Sequence, residues 1–282
     1  MKILNSALLD FFLSSTGVCT DTRKIQAGNL FFALKGPNFN ANALAKEALE
    51  KGAIAAVIDD MNFEIGDKTL LVDDGLKALQ DLARDYRNTL NIPIIGLTGS
   101  NGKTTTKELL FSVLSQKYHC YATAGNLNNH IGVPLSILQI KSSHEVAVIE
   151  MGANKQGDIK ELVEIAQPTH SLITNIGKAH LEGFGGEAGV RKGKGELFDY
   201  VAQHGGTVFL PKDKNVVHEM SEERGIANCI VANAEMPTTL IEAKPTITFS
   251  CADGSIVKSH LPGIYNFENI QMAIAVGKNF GL

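Results

Sequence analysis

The chain has 282 residues, with 26 Lys and Arg against 30 Asp and Glu, a formal net charge of −4 at pH 7 and a sequence pI near 6.1. That balance leaves no basic surface for a nucleic-acid partner, and no apolar run is long enough for membrane insertion. The four cysteines (Cys19, Cys120, Cys229, Cys251) stand far apart without a C-x-x-C pair, which speaks against zinc and disulfide frameworks and for reduced thiols in a cytoplasmic protein.

The length suits two domains. Residues 1–6 lack the pattern of a cleavable signal. A strand is predicted over 28–34, closing before Lys35-Gly36-Pro37. A helix follows, with Ala43, Leu44, Glu47, Ala48 and Leu49 at helical spacing. Further strands are predicted at 53–58 and 70–72, and a helix from Asp74 to Leu90. Residues 1–90 thus read as a small N-terminal α/β domain. Asn91-Ile92-Pro93 marks a hinge, because proline restricts the residue before it.

Over 91–282 the alternation becomes regular. Strands are predicted at 94–98, 118–123, 146–150, 170–175 and 207–210, and helices at 103–116, 134–139, 158–167, 193–204 and 266–280. Such alternation predicts an α/β domain with a mostly parallel sheet flanked by helices. Residues 228–261 read as shorter antiparallel strands with a turn at Ala252-Asp253-Gly254.

The strand at 94–98 runs into Gly99, Ser100, Asn101, Gly102, Lys103, Thr104 and Thr105, and then into a helix. A glycine-rich turn of this kind aims backbone N–H groups and a helix N-terminus at an anion. Lys103 can reach phosphate oxygens, and the Thr104 hydroxyl can bind Mg²⁺. A nucleoside triphosphate is expected here, in a P-loop-type domain. The common pattern G-x-x-x-x-G-K-[ST] would put its first glycine at Leu97; Gly96 and Gly99 flank that position instead.

Other chemistry-bearing residues fall at predicted strand ends, where ligands of parallel sheets bind. Glu150 closes the strand 146–150 and can hold Mg²⁺ beside a nucleotide; a solvated strand-end carboxylate is the plainer alternative. His180 lies in the loop after the next strand and is either a ligand or a surface histidine. Lys192, Lys194 and Glu196 are read as opening a helix, where cations oppose the helix dipole. Asn126, Asn128 and Asn129 crowd a loop entering a helix; they offer donors and acceptors to a polar substrate, or are ordinary turn residues.

Together these motifs resemble the Mur ligases, ATP-dependent amide ligases of peptidoglycan precursor synthesis. The likeness is strongest to the branch that joins D-alanyl-D-alanine to UDP-N-acetylmuramoyl-tripeptide. It rests on Thr98 to Thr105, the Asn loop Gly125 to Leu135, Glu150-Met151-Gly152-Ala153, Thr174 to Gly185, Lys194 to Phe198 and Leu261 to Asn269. Asp21-Thr22-Arg23 and Gly28 to Gly36 are similar to its UDP-binding region. The likeness departs in two places. Asn40-Ala41-Asn42 stands where that branch usually has Asp-Gly-His, and Tyr265 stands where it usually has His.

The resemblance implies a mechanism. ATP phosphorylates a carboxylate of the UDP-muramyl tripeptide, and the amine of D-alanyl-D-alanine attacks the acyl phosphate to give an amide, ADP and phosphate. Lys103 and the loop amides would hold the phosphates. Thr104 and Glu150 would hold one Mg²⁺, His180 would help hold a second, and a carbamylated Lys194 would orient a cation there. Asn266 and Asn269 would lie on the adenine side. Asp21, Thr22 and Arg23, with Asn126, Asn128 and Asn129, would serve the muramyl substrate. The chain is expected to be a monomer, to end before the family's third domain, and to turn over weakly by itself. The alternatives are a sister Mur or folylpolyglutamate-type ligase, or a non-catalytic module that binds ATP and a UDP-sugar.

Overall fold

The computed structural model describes residues 5–282; residues 1–4, part of the segment expected to lack a cleavable signal, lie outside the described residues. Two compact units form, one from the described residues up to Asn91 with Pro134–Lys141, the other from Ile92–Val133 with Ser142–Leu282.

In the first unit the elements are α1 (Asn5–Leu13), β1 (Val18–Cys19), β2 (Leu30–Phe32), β3 (Lys35–Gly36), β4 (Phe39–Asn40), α2 (Ala45–Glu50), β5 (Ala55–Ile58), β6 (Thr69–Leu71) and α3 (Gly75–Arg87). Strands β1-β2-β5-β6 form a parallel sheet in that order, and β3 and β4 pair as a hairpin. Ala41, Ala45, Ala48, Ala53 and Ala56 pack with Phe31 and Ile58, so small side chains let α2 approach the sheet closely. Asp74 caps α3 by accepting from Lys77 N at 2.9 Å, and Ala78, Leu79, Leu82 and Ala83 bury one face at helical spacing. Tyr86 Oη donates to Ile140 O at 2.6 Å, and residues 134–141 pack with this unit rather than with the second, where the sequence reading put the helix at 134–139.

The second unit contains β7 (Ile94–Thr98), α4 (Lys103–Leu114), β8 (Cys120–Ala122), the start of α5 (Gly132–Ile137), β9 (Val146–Glu150), α6 (Asp158–Ala166), β10 (His170–Ile173), α7 (Leu181–Phe184), α8 (Glu187–His204), β11 (Thr207–Leu210), α9 (Val216–Glu222), β12 (Cys229–Val231), β13 (Thr238–Glu242), β14 (Thr248–Cys251), β15 (Ile256–Lys258) and α10 (Tyr265–Asn279). The main sheet runs β12-β11-β10-β7-β9-β8, all parallel. Every residue of β7 and β9 is buried, as parallel strands covered by helices require. Helices α4 and α10 pack together over Ile95, Leu97, Val148 and Phe209, while α6 and α8 pack on each other and against β7. Strand β7 lies between β9 and β10, so the chain order reverses at its carboxyl end. Such a switch point opens a crevice for ligands.

Two expectations are corrected. Cys229–Val231, read as antiparallel, joins the main sheet parallel to β11; β13, β14 and β15 form the antiparallel sheet, with the expected turn at Ala252-Asp253-Gly254. Helix α8 begins at Glu187 rather than 193, so Lys192 and Lys194 lie beyond its first turn and the dipole argument does not apply to them. Glu196 has a structural task. Its Oε1 accepts from Gly157 N at 2.6 Å and its Oε2 from Lys160 N at 2.8 Å, so one carboxylate caps the start of α6. Among the described residues no helix is long and apolar enough to cross a membrane.

The capping role sets a stability prediction. Glu196→Ala leaves two helix-end amides without their charged acceptor and is expected to cost about 1–2 kcal/mol in urea unfolding. An unchanged midpoint and slope would show that the cap contributes nothing.

Candidate functional site

The carboxyl ends of β7, β8, β9 and β10 supply the site. After Thr98 the backbone turns through Gly99 at φ +148° and Gly102 at φ +78°, conformations that favour glycine. A Cβ on Gly99 would overlap Thr174 Oγ1, so the loop after β10 presses directly on the turn. The two loops are stitched together. Asn175 O and Oδ1 accept from Ser100 N and Asn101 N, each at 3.0 Å, and Asn175 Nδ2 donates to Asn101 O at 3.0 Å. Thr174 Oγ1 donates to Asn101 O at 2.6 Å, and Gly177 N donates to Ser100 Oγ at 2.9 Å. Sequence reasoning assigned no individual task to Thr174 or Asn175, although both open the motif Thr174 to Gly185 that carries part of the resemblance. Gly102 caps α4 without a side chain, which keeps the first-turn amides of this 12-residue helix available to an anion.

Lys103 opens α4, half-buried, with Nζ donating to Gly99 O at 2.9 Å and reaching Ser100 O at 3.4 Å. Burial pushes its pKa down, and the Glu150 charge opposes that shift. Glu150 ends β9 at 1 % exposure. Its Oε1 accepts from Asn128 Nδ2 at 2.8 Å and from Thr104 Oγ1 at 3.3 Å, and its backbone N donates to Thr123 Oγ1 at 3.0 Å. Its Oε2 is buried with no hydrogen-bond partner among the described residues. An ionised oxygen in that state is costly unless a cation balances it. The oxygens of Glu150 and Thr104 are hard donors of the type Mg²⁺ takes, so the residues present fit that ion.

A cleft of about 260 Å³ adjoins this pair, lined by Lys103, Asn128, Asn129, His130, Gly152, Ala153, Asn154, Asp158, Glu161, Leu162 and His180. It therefore brings together Lys103, Asn128, Asn129 and His180. His180 is exposed and caps α7 at φ +53°, a left-handed conformation that few side chains adopt. Asn129 Oδ1 accepts from Ile131 N and Gly132 N, bending the loop toward α5. Asn126 is exposed and outside the cleft lining; its carbonyl accepts from Asn128 N at 2.7 Å.

Lys194 is 2 % exposed, with Nζ 5.4 Å from the centre of the Phe184 ring. Burial brings its pKa down to about 8, the Lys103 charge adds to the shift, and Asp158 and Glu196 oppose it. Asn266 and Asn269 are buried at the start of α10. Asn269 Nδ2 donates to Asn266 Oδ1 at 2.9 Å, and Asn269 lies against Gly102, where an added Cβ would come within 3.1 Å of its Nδ2. In the first unit Asp21 binds Arg23 through both oxygens, at 2.8 Å each, which holds its carboxyl at about 2; Thr22 between them is buried.

The Mur ligase middle domain matches residues 97–277, more than half of the chain. The chain belongs to the Mur ligase family. A relative from Bacillus subtilis named UDP-N-acetylmuramoyl-tripeptide--D-alanyl-D-alanine ligase is 41 % identical over 271 residues, which are 94 % of this chain and 59 % of the relative. The crystal structure of MurF from Acinetobacter baumannii superposes with a TM-score of 0.82 at 32 % identity, covering 94 % of this chain and 60 % of that one. MurF from Thermotoga maritima, crystallised in complex with ADP, gives 0.80 at 28 % identity, covering 96 % and 64 %. The chain spans about three fifths of the length of the curated Mur ligases it matches.

The buried Lys194 predicts a pH dependence. Its folded pKa of about 8 lies below the ordinary lysine value of 10.5, so between those pH values the unfolded chain holds a proton that the folded chain has released. Stability from this group is therefore expected to rise with pH across that window, by up to about 3 kcal/mol. The difference between wild type and Lys194→Met in CO₂-free urea titrations isolates it; parallel pH profiles would refute it.

Proposed function

We propose that this Mur ligase chain serves the ATP-dependent joining of D-alanyl-D-alanine to UDP-N-acetylmuramoyl-tripeptide. The observation that carries the reading is the buried, unpartnered Oε2 of Glu150, beside the Thr104 hydroxyl and the lysine that opens α4. A phosphate-binding turn with a carboxylate poised for a divalent cation suits phosphoryl transfer, which needs positioning and charge neutralisation more than covalent help. The names of the relatives supply the acceptor and the amine.

In this reading the first-turn amides of α4 and Lys103 Nζ cradle the β- and γ-phosphates of ATP. Lys103 gives up its bonds to Gly99 O and Ser100 O, which act as a resting place for the ammonium in the absence of an anion. Glu150 and Thr104 hold Mg²⁺, which when bound neutralises charge on the transferring phosphoryl group. Asn128 fixes the Glu150 carboxylate and also lines the cleft that would take the muramyl group. His180 and Asn129 face the cleft in which the acyl phosphate would meet the incoming amine. Lys194, with its proton loosened by burial, has the free amine that carbamylation requires; the carbamate would convert a cation into an anion able to orient a second metal ion or a neighbouring lysine. Asp21, Thr22 and Arg23 on the first unit are the candidate contacts for the UDP group.

Calorimetry with ATP and Mg²⁺ tests the core of this reading. Lys103→Met is expected to weaken nucleotide affinity at least about 30-fold, equivalent to about 2 kcal/mol. Unchanged affinity would overturn it. With all substrates present, amide formation from D-alanyl-D-alanine supports the assignment, turnover of D-glutamate or diaminopimelate instead would move it to a sister ligase, and nucleotide binding with no amide product would reduce it to a binding module.

A further inference from the structure

Lys107 lies one turn after Lys103 on α4 and is 1 % exposed, yet it does not line the cleft. Its Nζ donates to Thr123 O at 2.8 Å and to Gly125 O at 3.2 Å, and pairs with Glu108 Oε1 at 3.0 Å. Burying an ammonium is expensive, and an apolar side chain would fill the same volume more cheaply if filling were the only task. What the ammonium grips is specific: Thr123 and Gly125 lead into the Asn loop, and Lys107 gives both of their carbonyls a donor.

Thr123 connects this grip to the site. Its backbone N continues the ladder to Val148 O, and its Oγ1, 2 % exposed as a residue, accepts from Glu150 N at 3.0 Å. Three residues beyond Gly125, Asn128 donates to Glu150 Oε1, and its carbonyl accepts from Gly152 N at 2.6 Å. Both the backbone and the side chain of Glu150 are thus held by the segment that Lys107 anchors.

We propose that Lys107 is a positioning residue for the metal-binding carboxylate. It acts through Thr123 and the Asn loop to aim Glu150 Oε2 at the cation held with ATP. The inference rests on the phosphate-site reading above and adds a residue outside the cleft to it.

The test is calorimetric titration of the full chain with ATP, once with Mg²⁺ and once with EDTA, together with the thermal midpoint. Wild type is expected to bind ATP more tightly with Mg²⁺. Lys107→Met is expected to reduce that metal-dependent tightening at least about fivefold while leaving metal-free ATP affinity within about twofold. Thr123→Val removes the acceptor for Glu150 N but leaves the lysine's grip on the carbonyl, and is expected to give the same signature; it decides the matter if Lys107→Met does not fold. A lowered thermal midpoint with the full tightening retained, or an equal loss with and without metal, would overturn the positioning role alone. Wild type that binds no ATP would overturn the phosphate-site reading and this inference with it.

Discussion

A carboxylate oxygen buried without a partner at the end of a central strand is the costly feature on which the rest of the site depends. Left ionised and unbalanced, Glu150 Oε2 would cost on the order of several kcal/mol. The surrounding groups do not cancel that cost. Asn128 and Thr104 both donate to the other oxygen, Oε1, and leave Oε2 without a donor. Lys103, which opens α4, spends its hydrogen bonds on loop carbonyls and contributes charge to Glu150 only through space. An arrangement that orients an anion without neutralising it suits the cation proposed above to accompany ATP.

The parallel sheet explains how so many loops reach that point. Strands β9 and β10 flank β7 and end at the same level, so the turns after all three converge, with the loop after β8 beside them. Asparagine then does most of the fastening. Asn175 matches the backbone of Ser100 and Asn101 with a carbonyl, a side-chain acceptor and a side-chain donor, and Asn129 and Asn128 hold the opposite loop. A carboxylate could not donate and an ammonium could not accept; the amide does both without adding charge next to a phosphate site.

Much of this could be read from the sequence, and the failures have identifiable causes. The all-apolar run at 94–98 followed by Gly, Lys and Thr specified β7, the turn and α4 almost to the residue, because a buried parallel strand and a glycine turn each leave a strong local mark. Helix α8 was read six residues short. Gly189 looks like a breaker, but it sits where an added Cβ would overlap the backbone of Phe184. Strand β12 was misjudged because a three-residue edge strand has no pattern of its own and takes its direction from β11. The stitching by Thr174 and Asn175, the cap from Glu196 and the grip of Lys107 depend on residues 16 to 75 positions away in the chain, and nothing local announces them.

The two lysines of the site obey opposite constraints. Lys103 keeps hydrogen-bond acceptors and an opposing carboxylate charge, which counters the downward push of burial on its pKa. Lys194 is buried more deeply and feels Lys103 as a like charge, and both influences favour the neutral amine, while the ring of Phe184 beneath its Nζ favours the cation. Asp158 and Glu196 counter this only in part, since Glu196 is engaged in capping α6 and Asp158 accepts from Asn154 N and Lys155 N. With a pKa of about 8 Lys194 is still largely protonated at pH 7, but it holds more free amine than an ordinary lysine does. The difference between the two lysines follows from the depth of burial and from the charges each one faces.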